Sequence, residues 1–128
     1  MGGLIMQMFA GFLHYIQRYE TVIATPKQCV SDVMYGADYA TLLTFTLPSV
    51  ANSHIGDKLS IIGIGAGGWL LAQNATQLIR IGVTASLAGV TGSIASTDRY
   101  DCVSLVCTVE GTTWTAYSVV GSLAVITA

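Results

Sequence analysis

The segment from Gly56 to Gly82 limits the folds open to this chain more than any other stretch. It holds six glycines, one tryptophan and a Gln-Asn pair, together with two short β-prone runs, Ser60 to Ile62 and Ile79 to Ile81. Because glycine inside a helix costs about 1 kcal/mol relative to alanine, the glycines exclude a stable helix here. The segment therefore predicts short strands joined by a tight, glycine-rich turn.

The same segment spells GxGxxG from Gly63 to Gly68, which is the spacing of a dinucleotide-binding loop. Such a loop needs a helix that begins at the third glycine and an acidic residue about 20 residues further on. Asn74 interrupts the apolar run after the last glycine, and no Asp or Glu lies between Asp57 and Asp98. We therefore interpret the glycines as a turn between strands and expect no cofactor.

Charge is scarce along the whole chain. Only 9% of the 128 residues are charged, against roughly 25% in a typical soluble domain. A lone subunit would struggle to cover its surface with so few charges, and no uninterrupted apolar run of about 18 residues indicates a membrane span. The composition favours an obligate oligomer. The five basic residues are scattered and form no patch, so we expect no nucleic-acid partner.

The three cysteines, Cys29, Cys102 and Cys107, do not follow a metal-binding or disulfide pattern. Their number is odd and no CxxC spacing occurs, so we expect neither a disulfide framework nor a zinc site. Cys102 and Cys107 are separated by an odd number of positions on one predicted strand and should point to opposite faces. We interpret all three as packing residues of a chain made in a reducing cytoplasm.

The first 20 residues differ from the remainder. Apolar residues between Leu4 and Tyr19 recur at spacings of three and four, which predicts a helix or anchor segment over residues 1–20. Arg18 follows the apolar core instead of preceding it, so the segment is not a typical signal peptide. A helix this apolar needs a covering surface, provided by its own domain, by neighbouring subunits or by a larger partner.

Residues 21–128 carry the pattern of short strands. Apolar and polar residues alternate from Leu42 to Leu47 and again from Tyr100 to Val109, and the second run returns through Trp114 to Val120 as a hairpin. The stretch Thr84 to Thr97 is interpreted as a small-residue loop. Turn residues every 8–12 positions predict an all-β domain of about seven or eight strands, arranged as an antiparallel sandwich or barrel.

Ionisable groups are too few and too scattered to indicate catalysis. The histidines are His14 and His54, and most of the seven acidic residues fall at predicted turns, where their side chains bond nearby backbone N–H groups. An enzyme needs such groups clustered in one site. We therefore expect a protein that is not an enzyme and that has no catalytic, cofactor-binding or metal-binding residue.

Two groups of residues remain as candidates for contacts. The aromatic residues either form a surface for sugars or a partner, or act as core or subunit-interface anchors. The amides near position 75 form either a polar network around a symmetry axis or an exposed turn. The residues predicted at a receptor or subunit contact are Trp69, Gln73, Asn74, Gln77, Tyr100, Trp114 and Tyr117.

Three segments in order carry a resemblance to a known family. They are LTFTLPS (Leu43 to Ser49), IGDKLSIIGIGAGGWLLAQNATQLIRIG (Ile55 to Gly82) and GSIASTDRYDCVSLVCTVEGTTWTAYSVVGSL (Gly92 to Leu123). Together they resemble the C-terminal β-domain of phage tail-fibre and virion surface proteins, over about residues 35–126. The resemblance implies a trimeric, mostly β domain at the exposed end of a fibre or spike, used for attachment or assembly, and it identifies no catalytic residue.

The chain departs from that family before residue 21, where about 20 apolar residues replace the repetitive shaft of longer fibres. We therefore expect a structural protein of a phage-like particle, made in the host cytoplasm and located in the virion, that forms a homotrimer and contacts other virion proteins. One alternative is a module that binds host-surface glycans through exposed Trp or Tyr. Another is a membrane-associated assembly factor that acts through Leu4 to Tyr19. The residues expected in the core are Leu43, Phe45, Ile61, Trp69, Val103, Leu105 and Trp114.

Overall fold

Short runs of alternating apolar and polar residues form twelve strands in the computed structural model, which describes residues 17–128. Alternation places one side of each strand against the core, as in β4, where Leu43 and Phe45 are buried and the two threonines are half-buried. The strands are β1 Arg18–Val22, β2 Lys27–Gln28, β3 Val33–Ala37, β4 Leu43–Thr46, β5 Lys58–Gly63, β6 Trp69–Ala72, β7 Leu78–Ile81, β8 Thr84–Ala85, β9 Ser93–Ser96, β10 Cys102–Val109, β11 Thr113–Val120 and β12 Leu123–Val125.

The strands form two sheets that enclose one core, so the predicted all-β sandwich is confirmed. The large sheet has the order β1-β3-β5-β10-β11-β7-β8, and the small sheet has the order β12-β9-β6-β4-β2. The first six strands alternate between the two sheets. Each passage of the chain around the core therefore adds one strand to the large sheet and one to the small sheet.

Alternation between the sheets explains why the sheets are mixed. Strands β1, β3 and β5 are parallel neighbours in the large sheet, and β2, β4 and β6 are parallel neighbours in the small sheet. The hairpins β7-β8 and β10-β11 are antiparallel. The pairs β5-β10, β6-β9 and β9-β12 are also antiparallel. The prediction of an antiparallel sandwich was therefore wrong for the first half of the fold.

The core contains every residue that the sequence predicted there, together with others such as Val33 and Tyr35. All seven side chains expected there are at most 2% exposed. The rings of Tyr35 and Phe45 lie 5.5 Å apart between centroids, and Trp69 and Trp114 are the largest buried side chains. Cys107 is buried on the inner face of β10 and Cys102 is half-buried on the outer face, which confirms their predicted directions. All three cysteines are free thiols.

Four strands were missed in the sequence, the two-residue strands β2 and β8 and the longer strands β3 and β9. β3 has the sequence VMYGA, in which glycine weakens the strand pattern, and β9 has the sequence SIAS inside the predicted loop from Thr84 to Thr97. Both are flanked by strands on each side, β3 by β1 and β5, and β9 by β6 and β12. Neighbouring strands thus fix these segments where local propensity is weak.

The predicted N-terminal helix fails where it overlaps the described residues. Arg18 and Tyr19 belong to β1 and pair with Val33 and Met34. The remainder of the predicted helix lies outside the described residues, and so does most of the proposed anchor segment. Residues 17–128 contain no α-helix and one 3₁₀ turn, Val50–Asn52. No helix in this range has the length and apolar character needed to cross a membrane.

Candidate functional site

The GxGxxG segment is a crossing between the sheets. It connects the end of β5 at Gly63 to the start of β6 at Trp69, and no helix begins at Gly68. Gly68 has a φ of +71°, and a Cβ at Gly63 would lie 2.5 Å from the carbonyl oxygen of Arg99. Glycine is therefore required by the close approach of main chains, and the interpretation as a tight turn is confirmed.

The two tryptophans lie in the core and not on a contact surface. Trp69 and Trp114 are both 0% exposed. The indole Nε1 of Trp69 donates to the carbonyl oxygen of Asp101 at 3.0 Å, and that of Trp114 donates to Ser53 Oγ at 3.3 Å. Each buried N–H thus has a partner, as a buried indole needs. Of the two alternatives for these side chains, core packing applies, and an exposed tryptophan surface for sugars was wrong.

The two tyrosines remain available for contacts. Tyr100 is 66% exposed and Tyr117 is 55% exposed. A cation lies over each ring, since the guanidinium of Arg99 is 5.1 Å from the Tyr100 centroid and Lys58 Nζ is 5.9 Å from the Tyr117 centroid. Tyr100 lies in the loop before β10, whereas Tyr117 lies within β11 of the large sheet.

Gln73 is a buried amide that connects two loops. Its Nε2 donates to the carbonyl oxygens of Gln77 at 2.8 Å, Leu87 at 3.0 Å and Gly89 at 2.9 Å. Its Oε1 accepts a hydrogen bond from Ser86 Oγ, which is also buried. One side chain therefore fixes the turn after β6 to the loop between β8 and β9.

Gln77 and Asn74 extend this network. Gln77 is fully buried, and its Nε2 donates to the carbonyl oxygens of Pro48 at 2.9 Å and Gly111 at 3.2 Å. Its Oε1 accepts from the backbone N–H and the side-chain amide of Asn74, both at 2.9 Å. No buried side-chain N or O lacks a partner within residues 17–128. Of the two alternatives for these amides, Gln73, Asn74 and Gln77 form a polar network, which lies within one chain. Its relation to a symmetry axis stays a prediction.

A cavity of about 620 Å³, lined by both polar and apolar groups, opens at the end of the sandwich where β3 and β5 begin. Asp57 Oδ2 accepts from Ser31 Oγ at 2.8 Å and from the His54 N–H at 3.0 Å, which holds one carboxylate on its wall. Asp32 Oδ1 accepts from the Lys58 N–H at 3.1 Å. The lining residues are Gln28, Cys29, Val30, Ser31, Asp32, Pro48, Ser49, Asn52, His54 and Asp57.

Sequence reasoning missed this cavity because its walls come from two separate segments, residues 28–32 and residues 48–57. Two carboxylates, two amides and two hydroxyls supply acceptors and donors around one space. Such a lining suits a ligand with several hydroxyl groups, since each ligand hydroxyl both donates and accepts. No three His, Cys, Asp or Glu side chains between residues 17 and 128 are grouped so that they could hold a metal ion.

The ionisable groups of the cavity are not arranged as a nucleophile and a base. Burial raises the pKa of the Cys29 thiol far above its ordinary value, which keeps the thiol protonated and unreactive. Burial also raises the pKa of Tyr35 to about 12, and its hydroxyl accepts from the Val30 N–H at 2.8 Å. His54 Nδ1 lies 2.5 Å from Glu110 Oε2, and this hydrogen bond raises the pKa of His54 and lowers that of Glu110.

Comparison with known proteins adds no relative. No protein-family model matches the chain, and no curated protein matches it. The resemblance to phage tail-fibre and virion surface domains therefore stays a prediction from the sequence.

Proposed function

We propose that this chain is a self-associating structural protein of a phage-like particle, such as a tail fibre, spike or virion surface protein. One observation carries the proposal. Fifteen large apolar side chains are exposed on the part of the chain that the structure describes, while only 9% of the whole sequence is charged. Exposed apolar side chains in this number, with so few charges in the sequence, favour a protein interface. Assembly into a particle would bury it against other copies and other virion proteins.

The satisfied core supports a structural role in assembly. Both tryptophans and the amide network are buried with their hydrogen bonds made, so the fold needs no partner to complete its interior polar groups. A subunit of this kind can fold first and then associate through its surface. The homotrimer and the virion location come from the resemblance and belong to this proposal.

The mass of the full-length protein in solution tests self-association. Three copies of 13.4 kDa give about 40 kDa, which we expect from light scattering across a dilution series. A stable 13.4 kDa monomer at high concentration would contradict the proposal. Labelling of assembled particles with an antibody against the chain then tests the virion location, and particles that lack the label would contradict that part.

The cavity beside Asp57 favours a second candidate function, the binding of a host-surface glycan. Its hydroxyl, amide and carboxylate groups match the donors and acceptors of a sugar. A glycan array should show binding by the unmodified protein that Asp57→Asn abolishes, with Asp98→Asn as the control at an exposed turn. Equal binding by the two variants, or no binding at all, would remove this candidate.

A further inference from the structure

We propose that one long side of the sandwich, which we call the open seam, is the surface through which a second copy of this chain docks. The open seam consists of β11 from Ala116 to Val120 and β12, which are consecutive in the chain. This inference rests on the proposed self-association and specifies the surface that carries it. Three independent features of the seam support it.

The first feature is an unfinished sheet edge. β10 pairs with β11 along its whole length, from Val120 opposite Cys102 to Thr113 opposite Val109. On the other side β7 pairs only with Thr113 to Thr115. Within residues 17–128, Ala116 to Val120 therefore has no neighbouring strand on that side. β12 likewise pairs with β9 alone and forms the edge of the small sheet. Edge N–H and C=O groups can accept another strand.

The second feature is a core that reaches the surface between these edges. Val119 lies directly opposite Val103 in the hairpin and shares its inner face. Val103 is 2% exposed, whereas Val119 is 37% exposed. Ala116, Leu123 and Val125 also pack against the core while remaining only partly buried. Apolar side chains that point inward are thus left uncovered along the seam.

The third feature is the absence of charge. The sequence from Gly111 to Ala128 contains no Asp, Glu, Lys, Arg, His or Pro. Monomeric sheet proteins usually protect an exposed edge with a lysine, another charge or a proline. The seam's own sequence holds none of these, and Lys58 of β5 is the cation whose Nζ lies 5.9 Å from the Tyr117 ring. Because this stretch carries no charge of its own, the seams of neighbouring copies can lie together without like-charge repulsion, so a second copy fits the seam. Docking would complete the edge hydrogen bonds and cover Val119.

Val119→Lys in the full-length protein tests the open seam. Lysine should place a charge on the seam of every copy and raise the apparent dissociation constant at least 10-fold, measured by light scattering across a dilution series. Ile23→Lys is the matched control, because Ile23 is 70% exposed just after β1, at the opposite edge of the large sheet. Circular dichroism checks that both variants keep the β fold.

Hydrogen exchange on the unmodified protein gives a second readout that needs no mutation. The amides of Ala116 to Val120 should exchange slowly in the oligomer and at least 10-fold faster after dilution to the monomer. If the unmodified protein is oligomeric but Val119→Lys keeps its mass and these amides keep one exchange rate, the seam proposal is overturned while self-association stands. If the unmodified protein is monomeric throughout, the proposed function fails first.

Discussion

Trp69 on the small sheet donates its indole hydrogen bond to the main-chain carbonyl of Asp101, at the start of the large sheet's β10, across 3.0 Å. The same carbonyl oxygen accepts the N–H of Gly63 at 3.0 Å. One carbonyl thus joins the two sheets to the glycine turn between them. Trp69, which the sequence placed both among the contact candidates and in the core, is a core residue that connects the two sheets.

Replacement of Trp69 by alanine should destabilise the fold. Removal of a fully buried indole loses its packing and leaves a cavity, so we expect the free energy of unfolding to fall by about 3–5 kcal/mol. Tyr100→Ala removes an aromatic ring that is mostly exposed and should change the same quantity by less than about 0.5 kcal/mol. Urea denaturation followed by tryptophan and tyrosine fluorescence measures both. Equal effects would contradict the core position of Trp69.

The Asp101 carboxylate should make stability depend on pH in the acid range. Its Oδ2 accepts from the backbone N–H groups of Asp98 and Thr97, each at 2.9 Å, and these bonds hold its pKa below the ordinary value of 3.8. A group whose folded pKa is lowered stabilises the fold above its unfolded pKa, and this contribution is lost as pH falls through the folded pKa.

Asp101→Asn should therefore show a smaller loss of the free energy of unfolding than the unmodified protein between pH 5 and pH 2.5, in urea denaturation. Asp98→Asn is the control, because that residue is exposed. Parallel pH profiles for the unmodified protein and Asp101→Asn would show that the turn bonds contribute nothing in acid.

Gln77→Ala should be costly because its amide serves several buried groups at once. Its loss removes a donor from the carbonyl oxygens of Pro48 and Gly111, and Pro48 alone keeps a second donor, Ser53 Oγ at 3.0 Å. A buried group left without a partner costs about 1–3 kcal/mol. We expect a fall of about 2–3 kcal/mol in the free energy of unfolding. Gln28→Ala removes the same amide from an exposed position and should cost less than about 1 kcal/mol. A reversed order in denaturation midpoints would contradict the network's importance.

Thr76 offers a stabilising substitution. It lies exposed in the turn between β6 and β7 with a φ of +71°, a conformation that disfavours β-branched side chains by about 1–2 kcal/mol. Asparagine tolerates this region, so Thr76→Asn should raise the free energy of unfolding by about 0.5–1 kcal/mol. Thr127→Asn, in the exposed C-terminal residues, should change nothing measurable. A lower thermal midpoint for Thr76→Asn would contradict the strained turn.

Period-two alternation predicted the strongest strands and the core well. β5, Lys58–Gly63, contains the predicted run Ser60 to Ile62, and β4 lies within its predicted run. Alternation fails at Val109, which was expected on the inner face of β10 but is exposed, since a register irregularity follows Cys107. Such an irregularity depends on the partner strand, and the sequence of one strand does not reveal it.

The candidate site was harder to predict than the core. The amides at Gln73 and Gln77 stood out as polar residues beside an apolar run, but their partners are main-chain carbonyls of distant loops. The cavity beside Asp57 was missed for the same reason, because its lining comes from segments far apart in the chain. No local sequence pattern shows which distant segments of the chain come into contact.

The sequence by itself determined the fold class, the inner faces of the main strands and the glycine turn, because burial, alternation and backbone freedom are local properties of a few neighbouring residues. Only the tertiary structure decided that half of the strand pairings are parallel and that β11 ends at an open edge. These depend on which distant strands become neighbours as the chain alternates between the sheets. The open seam is a property of that arrangement.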